Sequence, residues 1–72
     1  MKLTLKALRV NYGLTQREMS NIVGCSIESW RNYENGITVP NNKVVEKIIT
    51  TFKVNYNDII FSRRLRLNGS LT

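Results

Sequence analysis

Gln16 to Gly36 reads QREMSNIVGCSIESWRNYENG. It holds two short helical patterns with a tight turn between them. Thr15-Gln16-Arg17-Glu18 forms a capping box, a threonine cap with glutamate three residues on. Met19, Ile22 and Val23 then supply an apolar face, and Gly24 ends the pattern. Ser26 is a good N-cap for a following helix. In that helix Trp30 and Tyr33 face one way, and Glu28, Arg31 and Asn32 face the other. Asn35-Gly36 stops it after about two turns, too short to be stable alone. Trp30 and Tyr33 must therefore pack on other helices. The stretch reads as a helix-turn-helix whose second helix presents side chains to DNA, although it carries more acid than base.

Outward from this stretch, the chain reads as supporting helices. A first helix is expected from about Thr4 to Tyr12, with Leu5, Leu8 and Tyr12 at helical spacing and Gly13 as its stop. Ile37-Thr38-Val39-Pro40 is an extended connector, because the residue before proline avoids helix. Asn41 caps a fourth helix to about Phe52, with Val44, Val45, Ile48, Ile49 and Phe52 as its apolar stripe. Lys53 stands where a left-handed cap suits glycine. Asn55 is expected to cap a short fifth helix to about Phe61. Residues 1–61 thus read as one all-α, five-helix domain, and residues 62–72 as a flexible basic tail.

A chain of 72 residues is one small domain, and such a chain buries only roughly 60% of its unfolded surface. Hydrophobic residues make up 42%, enough for one core. There is one cysteine, Cys25, and no histidine, so neither an intrachain disulfide nor a metal-ligand cluster is expected. Cys25 reads as a small apolar residue beside the turn. No apolar run approaches the roughly 20 residues of a membrane span, and Lys6 and Arg9 interrupt the start of the chain, which excludes a signal peptide there. A cytoplasmic protein is expected. An enzyme is not: the five acids are spread along the chain and there is no phosphate loop.

The net charge of +6 favours a polyanion partner. Its distribution is uneven. Across Cys25–Gly36, Arg31 stands against Glu28 and Glu34, a local −1. Across residues 61–72, Arg63, Arg64 and Arg66 meet no acid.

The element order, with LTQREMS, VGCS, YENG and PNNKVVEKII, resembles the lambda-repressor/Cro type of helix-turn-helix domain (XRE-like, found in phage and mobile-element regulators). The resemblance runs from about Leu3 to Ile60. It implies a second helix lying across the DNA backbone and a third in the major groove. It places Gln16 at a backbone contact, Ile27, Glu28 and Asn32 at base-reading positions, and Arg9 with Glu34 as a buried ion pair. For Arg9 the residues alone also allow a phosphate contact or a free surface charge. Three departures stand out: Ser20 replaces an alanine, Trp30 replaces an aliphatic residue, and Lys53 replaces a glycine.

The chemistry of the side chains agrees with these roles. Asn32 can bind adenine bidentately, Glu28 can accept from the cytosine amino group, Ile27 can press a thymine methyl, and Arg31 can reach guanine or phosphate. Ile27 as a packing residue and Glu28 as a solvated charge are the plainer alternatives. Phosphate contacts are expected from Gln16, Arg17, Ser29, Asn35, Thr38 and Lys43. No cofactor is expected. The expected partner is double-stranded operator DNA, bound by a homodimer that associates through Tyr56, Ile59, Ile60 and Phe61, some of which must fill the monomer core. The chain would then be a Cro-like or controller-like protein complete in itself, or a fragment. A second reading follows from the local −1 beside Ile27: a modulator that keeps the fold and binds a repressor protein.

Overall fold

Thr4, Thr15, Ser26 and Asn41 each adopt an extended backbone, and each accepts a hydrogen bond from the third helical residue beyond it. These side-chain oxygens satisfy amides that have no partner inside the helix, and so fix where four helices begin. The computed structural model describes residues 2–61; the basic stretch 62–72 expected as a tail lies outside them. The helices are α1 (Leu5–Asn11), α2 (Gln16–Val23), α3 (Ile27–Glu34) and α4 (Asn42–Phe52). Thr15 and Glu18 complete the capping box in both directions.

The exits follow from backbone conformation. Gly24 ends α2 in the left-handed region at φ +80, where glycine carries no Cβ penalty. Lys53 ends α4 at φ 58 and ψ 43, a left-handed conformation that an L side chain adopts at a cost. It is the one non-glycine residue with positive φ among those described.

The fifth helix expected from Asn55 to Phe61 does not form. A single 3-10 turn, Tyr56–Asp58, is followed by strand β2 (Ile59–Ile60), which pairs in parallel with β1 (Leu3–Thr4). Leu3 lies opposite Ile59, and Thr4 opposite Ile60. β-branched isoleucines favour this extended geometry. Burial alternates as in a strand: Ile59 is buried, Ile60 exposed and Phe61 buried. Lys2 Nζ adds a 2.9 Å bond to the carbonyl of Asn57. The end of the domain is thereby tied to the start of α1.

The core gathers Leu5, Leu8, Met19, Val23, Trp30, Val44, Ile48, Phe52, Ile59 and Phe61. Trp30 and Met19 are wholly buried at its centre. Tyr12, expected in the stripe of α1, is 54% exposed. It closes the edge of the core instead, with its ring 4.7 Å from that of Phe52 and its hydroxyl donating to the Phe52 carbonyl. Cys25 is partly buried against the core. No helix among the described residues is long and apolar enough to cross a membrane, and no cluster of metal-ligating side chains occurs among them.

Candidate nucleic-acid interface

The angle between α2 and α3 is set by a short turn. The amides of Gly24 and Cys25 both bond the Ser20 carbonyl. Ser20 itself is buried, and its hydroxyl donates to the Arg17 carbonyl at 2.7 Å. A serine is accommodated at this packing position because its polar atom is satisfied within its own helix. Trp30 anchors α3 from the other side, with Tyr33 meeting it edge-on at 6.0 Å between ring centroids. An aromatic pair in this geometry adds to the stabilisation from burial. The anchor leaves the opposite face of α3 outward.

That outward face carries Glu28 and Arg31, both exposed, with Ile27 and Asn32 half-buried beside them. Ile27 therefore keeps both of its expected roles, packing residue and surface residue. The carbonyl of Asn32 accepts from the amides of Ile37 and Thr38. The connector is thus folded back against the end of α3. Around the helix, Arg17, Asn35, Thr38 and Lys43 are exposed. Ser29 is half-buried, and its hydroxyl accepts a 2.9 Å bond from that of Ser26.

Beneath the face lies a buried carboxylate. The Glu34 side chain is 3% exposed and that of Arg9 13%. Arg9 Nε donates to Glu34 Oε2 at 2.5 Å, and Arg9 also donates to Glu34 Oε1 at 3.3 Å. Another nitrogen of the same guanidinium donates to the Leu14 carbonyl at 2.7 Å. Trp30 Nε1 donates to Glu34 Oε2 as well. Gln16 Nε2 donates to Glu34 Oε1 at 3.2 Å, while Gln16 Oε1 accepts from Arg31 Nε at 3.2 Å. Burial alone would raise the Glu34 pKa. The hydrogen bonds from Arg9, Gln16 and Trp30, with the Arg9 charge, outweigh it and hold the carboxyl below its ordinary value.

This geometry revises the charge of α3 as read from sequence. Arg31 against Glu28 and Glu34 gives −1, but Glu34 is neutralised internally by Arg9. The exposed face holds Arg31 against Glu28 alone, a net of zero. Two participants had no signal in the sequence: the Leu14 carbonyl, and Trp30 acting as a donor. Gln16 was expected at a phosphate, and the structure turns its amide toward Glu34 and Arg31. The burial of Cys25 pushes its thiol pKa up, which disfavours the nucleophilic thiolate.

Of the four residues expected at a dimer surface, some of which were expected to fill the monomer core, two do so. Ile59 and Phe61 are core residues, 5% and 9% exposed. Tyr56 and Ile60 remain 59% and 40% exposed, with Tyr56 stacked on Phe61 at 5.1 Å.

The profile of the helix-turn-helix domain family matches residues 4–61, nearly the whole described chain. The chain is also similar to the antitoxin PezA of Streptococcus pneumoniae serotype 4. The two are 39% identical over 56 residues, covering 78% of this chain and 35% of that protein. The chain thus spans about a third of the length of this curated relative. The family match covers the capped α2–turn–α3 unit and the helices that pack on it, and the chain belongs to the helix-turn-helix domain family.

Proposed function

We propose that this domain is a sequence-specific transcriptional regulator, a binding module and not an enzyme, which reads operator DNA in the major groove in the cytoplasm. The observation that carries the proposal is the burial of Glu34 against Arg9. The acid excess that argued against a groove-reading helix lies inside the protein, so α3 approaches phosphate without net repulsion. Ile27, Glu28, Arg31 and Asn32 form the reading face. Arg17, Asn35, Thr38 and Lys43 flank it as exposed polar and basic groups and supply the phosphate contacts that dominate affinity.

One domain offers one reading helix, and half-site recognition alone gives limited specificity, so the working form is a homodimer. Tyr56 and Ile60 are the members of the expected dimer surface that remain exposed. Gel-shift titration on the DNA flanking its own gene tests the reading. Specific binding that falls steeply with salt and weakens about tenfold in Asn32→Ala is expected. Weak binding indifferent to sequence would sink it.

A second reading adds a protein partner. Ile37 and Val39, just beyond α3, are 62% and 49% exposed, and the similarity to an antitoxin supports a role in a protein complex. Such a partner, a repressor or another regulator encoded beside this chain, would co-purify with it. Absence of a complex when the two are co-expressed removes this reading.

A further inference from the structure

Gln16 opens α2 and joins two charged groups of opposite sign. Its amide nitrogen faces the Glu34 carboxylate and its amide oxygen faces the Arg31 guanidinium, each at 3.2 Å. Flipping the amide would set oxygen against carboxylate and N–H against guanidinium, so both neighbours select one orientation. Glu34 is itself fixed by Arg9 and Trp30. A continuous chain of hydrogen bonds therefore runs from the buried ion pair through Gln16 to Arg31, the basic residue of the reading face.

The bond to Gln16 uses Nε of Arg31. It leaves the terminal nitrogens, whose parallel N–H groups match the O6 and N7 acceptors on the major-groove edge of guanine. A flexible arginine must be ordered to make that contact, and one already held at Nε is ordered before DNA arrives. We propose that Gln16 is a positioning residue that presents Arg31 end-on to a guanine. Gln16 thereby sets base preference at a position it does not touch. The inference rests on the DNA-reading function proposed above. It differs from a phosphate contact by Gln16, which would contribute to affinity for every sequence alike.

The test uses the full chain. Its preferred site is selected from a random duplex library, and each guanine of that site is then replaced in turn by 7-deazaguanine, which lacks the N7 acceptor. The wild type should lose roughly tenfold in affinity at one such position, and Arg31→Ala should be indifferent to the replacement there. Gln16→Met, close in shape but without the amide, should lose most of the same discrimination, with the salt slope of binding unchanged. Gln16→Ala provides a second variant with the same expectation. The inference is overturned if both Gln16 variants discriminate guanine as the wild type does. It is also overturned if they lose affinity equally for all sequences. A wild-type chain that selects no site overturns the DNA-reading function itself, an outcome distinct from a selected site that ignores Gln16.

Discussion

Glu34 keeps a carboxylate in a site where its side chain is 3% exposed, and it accepts from Arg9, Gln16 and Trp30. Removing one partner of such a pair strands the other charge. Arg9→Ala should therefore cost about 3–5 kcal/mol in urea unfolding at neutral pH; an unchanged midpoint would show that the charge is solvated. The pH dependence has a definite sign. Because the folded pKa of Glu34 is lowered, its contribution is fully present above the ordinary glutamate pKa. The contribution is lost as pH falls through the folded value. Glu34→Gln should flatten that part of the acid limb, and an unaltered limb in the variant would assign the acid sensitivity elsewhere. The sequence pointed to this pair only through the motif YENG and the position of Arg9. The bridge through Gln16 was not legible, because a glutamine at the start of a helix suits a phosphate equally well. The bridge depends on the relative placement of three helix surfaces, which no local pattern encodes.

At the scale of elements, α2, α3 and α4 were legible from the capping oxygens of Thr15, Ser26 and Asn41, and α1 from the helical spacing of Leu5 and Leu8 and the stop at Gly13; the Thr4 cap emerged only in the structure. The last segment was not legible. Asn55 and Asp58 suit the first turn of a helix, and a two-residue strand is too short to show a period. What decides the segment is its partner, Leu3–Thr4, at the other end of the chain. The helix exits differ in what they cost. Gly24 takes the left-handed conformation freely, whereas Lys53 holds it at φ 58 with an exposed side chain. Lys53→Gly relieves that strain, while the greater freedom of glycine in the unfolded chain offsets part of the gain. A net stabilisation of up to about 1 kcal/mol is expected, seen as a higher urea midpoint at constant slope. A lower midpoint would show that the lysine makes a contact worth more than the strain it carries.

The whole domain measures 35 × 26 × 22 Å. Successive half-sites on one face of DNA lie about 34–36 Å apart, close to the longest dimension of the domain. In the proposed homodimer, one α3 would enter each half-site. The contact surface of that proposed dimer would lie away from α3 and outside the core. Burial of Ile59 and Phe61 takes half of the expected surface inward. Ile60 and Tyr56 are left beside a shallow hollow lined by Lys2, Asn57 and the β2 strand. Ile60 points away from the core, so Ile60→Lys should leave the melting temperature within about 2 °C of wild type, as expected for an exposed position. Two ammonium groups facing each other across a two-fold axis would oppose association. The variant should sediment as a monomer at concentrations where the wild type is a dimer. It should also bind a duplex with two half-sites no more tightly than a duplex with one, while keeping its half-site affinity. A dimeric Ile60→Lys would move the two-fold contact off this surface. A variant that also lost half-site affinity would show instead that β2 supports the reading helix through the core.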